Sequence, residues 1–97
     1  MATIHFDPIG KFKYTKDDMG NYHSYDDEPA IEYLDGSAKL WYKNGLIHRI
    51  DKPAILYYYV SPEPISLGNW LDYCENGFYF QMLRCDFYEN GIFIPPL

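Results

Sequence analysis

The side chains best suited to chemistry are three histidines, His5, His23 and His48, and two cysteines, Cys74 and Cys85. Imidazole beside thiol would make a Cys–His nucleophile pair, and the same groups ligate zinc. Their spacing supports neither. The chain has no C-x-x-C or H-x₃-H spacing to hold a metal, and no nucleophile-elbow motif to set a reactive side chain beside an oxyanion site. The glycines fall in turn-like contexts, not in a loop that could cradle phosphate. The expectation is a protein that is not an enzyme and takes no metal and no cofactor.

Charge is the next lead. The chain carries 14 acidic and 8 basic residues, a formal charge of −6, which argues against a basic nucleic-acid-binding surface. The acids concentrate at Asp17, Asp18, Asp26, Asp27 and Glu28, with Glu32 and Asp35 nearby. A solvated set of loops that aids solubility is the plain reading. An acidic nucleic-acid mimic, occupying the basic groove of a DNA- or RNA-binding protein, is the sharper one. Lys11, Lys13, Lys16, Lys39 and Lys43 interleave with these acids and weaken it.

The remaining composition bounds the setting. With 97 residues the chain has room for one domain and one modest core. It has no apolar run of about 18 residues, so no transmembrane helix is expected. The N-terminal M-A-T-I-H-F-D-P lacks the basic and apolar regions of a secretory signal. Two cysteines are too few for a disulfide framework, so a reduced, cytoplasmic setting is expected. Aromatic residues make up 20% of the chain and 11 are tyrosines, which suit both strands and interfaces.

The elements that position these residues are strands. Asp35-Gly36 and Asn44-Gly45 both tolerate the positive φ of a type I′ hairpin turn. Two-residue turns at these dipeptides put Ile31 opposite Leu40, Glu32 opposite Lys39, Tyr42 opposite Ile47, Trp41 opposite His48 and Leu40 opposite Arg49. Ile31, Tyr33, Ala38, Leu40, Tyr42 and Ile47 then share an apolar face, the expected core. Glu32, Lys39, Trp41, Lys43, Leu46 and His48 share the wetter face. Slipping the register by one residue would bury Glu32 and Lys39, so the pairing is firmly set.

The same signals divide the chain into an irregular cap over 1–28, a central meander over 29–60 and degenerate hairpins over 70–97. Within the cap, 4–6, 11–15 and 22–25 read as short strands. The run A-I-L-Y-Y-Y-V over 54–60 reads as a strand buried on both faces, or with one face turned to a partner. Residues 65–69 allow a single helical turn. Further hairpins are expected around Asn76-Gly77 and Asn90-Gly91. No capped run of helical period stands out.

The chain also repeats itself. W-Y-K-N-G (41–45), Y-C-E-N-G (73–77) and F-Y-E-N-G (87–91) are one pattern, and H-S-Y-D-D-E-P-A (23–30) and H-R-I-D-K-P-A (48–54) are another. At these residues the chain resembles short β-repeats with units near W-Y-x-N-G-x-x-H-R-x-D-G-P-A, usually grouped with variants of MORN repeats. The resemblance covers about half the chain. It departs from the pattern at Glu28 and Lys52, where the family prefers glycine, and by the insertion of 61–69. The family occurs in large DNA viruses, phages and bacteria, and the resemblance implies stacked β-hairpins, binding to proteins or surfaces, and no catalytic residues. Within the repeat, Arg49 and Asp51 are expected to pair on one strand face, with Asp51 also accepting backbone N–H bonds in an Asx turn.

The sequence therefore leads to an all-β, MORN-like meander of antiparallel hairpins. Its expected role is to bind, and to inhibit, a macromolecular partner, as an antitoxin-like protein or a viral or phage inhibitor would in the host cytoplasm. The expected contact residues are exposed aromatics beside charges: Trp41, Lys43, His48, Tyr57, Tyr59 and Trp70. Two alternatives are the acidic mimic above and a self-associating structural protein, such as a homodimer through the 54–60 strand.

Overall fold

The structure, a computed structural model, describes residues 3–63, 73–75 and 77–95. Trp70 and the expected helical turn at 65–69 lie outside them. The described residues form ten strands and no helix: β1 (Ile4–Phe6), β2 (Phe12–Thr15), β3 (Ile31–Tyr33), β4 (Ala38–Leu40), β5 (Tyr42–Lys43), β6 (Leu46–Ile47), β7 (Ile55–Ser61), β8 (Tyr73–Glu75), β9 (Phe78–Glu89) and β10 (Ile92–Ile94). The main antiparallel sheet runs β1-β2-β3-β4-β7-β9-β10, with β8 also on β9, and β5-β6 form a separate hairpin. The fold is an all-β meander, with no helix among the described residues to cross a membrane.

Much of the register is as the turn dipeptides dictate. Ile31 faces Leu40, Glu32 faces Lys39, Tyr42 faces Ile47 and Lys43 faces Leu46. Asn44-Gly45 and Asn90-Gly91 have positive φ at both residues, the conformation of a type I′ turn. Asp35-Gly36 differs, because only Gly36 is left-handed there. Gly36 N–H donates to the Tyr33 carbonyl (2.9 Å), so the turn closes around Leu34 and Asp35. Asp35 Oδ1 then accepts the Ser37 N–H at 2.9 Å. Glu32 forms its ion pair with Lys13 on β2, at 3.6 Å, on the side away from Lys39.

Three further expectations are corrected. The returning strand at 22–25 reduces to one bridge, Lys16 to Tyr22. Residues 78–83 and 84–89 do not belong to separate hairpins but form the single twelve-residue β9. The register between β7 and β9 shifts by one between Tyr57 and Tyr58, leaving Leu83 as an unpaired bulge residue. Leu40 faces Ile55 of β7, not Arg49. The chain leaves the main sheet at Trp41, whose N–H donates to Ala54 while its carbonyl accepts the His48 N–H.

That departure moves the core. Ala30, Ala38, Trp41, Ala54, Ile55 and Phe80 are its buried apolar side chains among the described residues. Of the expected core face, Ala38 is buried, while Ile31, Tyr33, Leu40, Tyr42 and Ile47 are half-buried. Trp41, expected on the wetter face, is only 5% exposed. The simple alternation of a pleated strand does not carry through a residue where the strand breaks.

Candidate functional site

The sequence repeat is a repeat of hydrogen bonds. Three hairpins, closed by Thr15/His23, Trp41/His48 and Phe87/Ile94, stack edge to edge. Between the first and second, Ser24 N–H donates to Tyr42 O (2.8 Å) and Gly45 N–H to Tyr22 O (2.9 Å). Between the second and third, Arg49 N–H donates to Tyr88 O (3.0 Å) and Gly91 N–H to Ile47 O (2.8 Å). The two histidines at equivalent repeat positions do equivalent work. His23 Nδ1 accepts the Asn44 N–H at 3.0 Å, and His48 Nδ1 accepts the Asn90 N–H at 2.9 Å. Each ring latches onto the turn of the next hairpin. The pattern around Asn76-Gly77 is not in this stack; it joins β8 to β9.

Both ends of the stack are closed. In the third hairpin, Ile94 and Pro95 stand where His48 and Arg49 stand in the second, so neither an imidazole acceptor nor a backbone N–H is offered onward. At the other end, the Tyr25 hydroxyl donates to the Lys16 carbonyl at 3.1 Å, the carbonyl equivalent to those of Tyr42 and Tyr88.

Arg49 links the first two units. Its Nε and Nη2 donate to Asp27 Oδ1 and Oδ2 at 3.0 and 3.1 Å, and its Nη1 to the Pro53 carbonyl at 3.1 Å. Its guanidinium lies 3.8 Å from the Trp41 ring centroid, while Trp41 Nε1–H donates to the Asp27 carbonyl at 2.9 Å. Lys52 adds a second cation to Asp27, at 3.4 Å. The Arg49 hydrogen bond is the main cause holding the Asp27 carboxyl below its ordinary value, with Lys52 contributing. The expected partner of Arg49 was Asp51. Asp51 has positive φ, as does Asp27 at the equivalent repeat position, and neither lies in a strand. The pairing therefore runs between repeats. The duplicated D-x-P-A sequence carried this signal, because equivalent acids should point to the next unit. No Asx bond from Asp51 forms among the described residues; Asp7, Asp17 and Asp35 make such bonds instead.

Three of the expected contact residues, Trp41, Lys43 and His48, come together around one cleft of ≈550 Å³, which His23 also lines. Trp41 is a buried structural ring there, not an exposed aromatic. Tyr57 and Tyr59 lie elsewhere, on β7, and are 39% and 47% exposed. They form an aromatic strip on one face of the sheet, while exposed Met82, Phe87, Ile92 and Ile94 lie on the opposite face of β9 and β10. Cys74 and Cys85 are exposed free thiols on β8 and β9. Among the described residues, no group of three or more acidic, His or Cys side chains could hold a metal ion. Along Ile55–Tyr57 the β7 backbone is paired to β4 on one side and β9 on the other. Self-association through 55–57 would therefore use the exposed Tyr57 face, not the strand edge.

Searches with this chain against family models, curated proteins and solved structures find no significant match.

Proposed function

We propose that the chain is a non-catalytic binding protein that docks on a protein partner and blocks it, built as a capped stack of MORN-like hairpins. The observation that carries this reading is the set of exposed apolar side chains on the outer half of the sheet. Tyr57 and Tyr59 of β7 are exposed on one face, and Met82 beside the β9 bulge with Ile92 and Ile94 of β10 are exposed on the other. Exposed apolar side chains gathered on the outer strands of a sheet mark an interaction site, and tyrosine joins an apolar ring to a wet tip. The histidines favour the same reading, since the Nδ1 atoms of His23 and His48 are engaged by backbone. The inhibitory, antitoxin-like or phage-like role follows from the MORN-variant resemblance. The acidic-mimic alternative is weaker, because Asp27 is already compensated by Arg49 and Lys52.

The test is affinity capture of the tagged chain from cell lysate with nuclease present, at low and high salt. The wild type is compared with Tyr57→Ser/Tyr59→Ser and with Asp17→Lys/Asp18→Lys/Asp26→Lys, each checked for folding by circular dichroism. The reading expects one protein retained at high salt and lost in the tyrosine variant alone. Partners lost at high salt, and lost in the lysine variant alone, would instead favour the acidic mimic.

A further inference from the structure

We infer that the cleft beside the first two hairpins is a receptor for oxyanion groups, namely carboxylates of an acidic segment, held by His23, His48 and Lys43. Which nitrogen carries the proton decides what each ring can offer a ligand. Each Nδ1 accepts a backbone N–H, so it carries none, and a neutral imidazole in that state has its hydrogen on Nε2. Both rings therefore present an Nε2–H donor, and neither donor is used by any described residue. The latches also fix the ring orientations, so little conformational freedom is lost when a ligand binds.

The charge around the cleft points the same way. Lys43, Arg49 and Lys52 line it against Asp27 and Asp51. Arg49 and Lys52 are engaged with Asp27, which leaves Lys43 as a cation without an ion pair among the described residues. The cleft thus carries a net positive charge on a chain whose formal charge is −6. That overall charge disfavours a long polyanion and favours a ligand with few anionic groups. The two histidines are one repeat apart, which is two strands, or about 9–10 Å. Lys43 lies on a strand between them. A ligand with two carboxylates on one extended segment matches this spacing better than a single small anion. The inference stands on the cleft alone and does not depend on the exposed apolar side chains of the outer strands.

The test is ¹⁵N NMR of the imidazole nitrogens, titrated with the peptide Ac-Glu-Ala-Glu-NH₂ and, separately, with inorganic phosphate. Two variants isolate the donors: His23→Asn and His48→Asn. An asparagine Oδ1 takes the place of Nδ1 as acceptor for the latch and removes the Nε2 donor. Both rings are expected in the Nε2–H form. The peptide should shift both Nε2 resonances, and each variant should weaken its binding about tenfold while keeping the fold. Tighter binding of phosphate than of peptide would overturn the carboxylate assignment. Unshifted Nε2 resonances, or variants that bind as the wild type does, would overturn the site.

Discussion

Arg49 directs its whole guanidinium at three partners: the Asp27 carboxylate, the Pro53 carbonyl and the face of Trp41. A planar fork can serve all three at once, whereas an ammonium cannot. Replacing Arg49 with Met should destabilise the fold by about 2 kcal/mol, from lost charged hydrogen bonds and cation–π contact. Arg49→Lys should recover less than half of that, and urea titration of the three proteins checks both figures. Asp27 supplies a pH test. Its carboxyl is held below its ordinary value of 3.8, so its contribution is present above that pH and is lost as pH falls through the folded value. The stability gap between wild type and Asp27→Asn should therefore hold steady at neutral and mildly acidic pH, then close below about pH 4. These contacts were only half legible in the sequence. The residue types and the repeat were visible, but nearness along the strand suggested Asp51. The positive φ at Asp27 and Asp51 has no sequence signal beyond Asp itself.

Among the elements, the hairpins and their latches decide the architecture. Turn chemistry was legible where Asn-Gly forces both residues to positive φ, and misleading at Asp35-Gly36, where tertiary packing chooses a wider turn. A Cβ on Gly36 would lie 2.6 Å from Cε2 of the buried Phe80, and Gly36 also has a φ of +82°. Gly77 has the same φ with nothing within 4 Å. Gly36→Ala should thus cost about 2–3 kcal/mol and Gly77→Ala about 1 kcal/mol, as read from chemical denaturation midpoints. The latches give a second test. His48→Ala leaves the Asn90 N–H without its acceptor, a loss of about 1 kcal/mol. Amide exchange at Asn90 should speed up about fivefold in that variant, and His48→Asn should restore it. The strand residues of β9 were legible as two pieces, 78–83 and 84–89, but their continuity was not, because a bulge keeps each local strand signal and changes only the register with the neighbouring strand.

At the scale of the molecule, the chain is a slab, 44 × 37 × 20 Å, with a radius of gyration of 14.6 Å. A compact domain of this length would be expected near about 12–13 Å. A mostly single-layered sheet has little to bury its outer half against, which is why the apolar side chains of β7, β9 and β10 remain exposed. The all-β class was legible from turn spacing and strand composition. The exposure was not, since apolar runs read alike whether they meet a core or a partner. The claim that this outer half is the working surface is tested most directly by hydrogen–deuterium exchange of the chain, free and bound to the partner it captures. The account predicts protection concentrated in 55–61 and 78–94. Protection confined to 17–28, with the tyrosine strip exchanging as in the free chain, would contradict it.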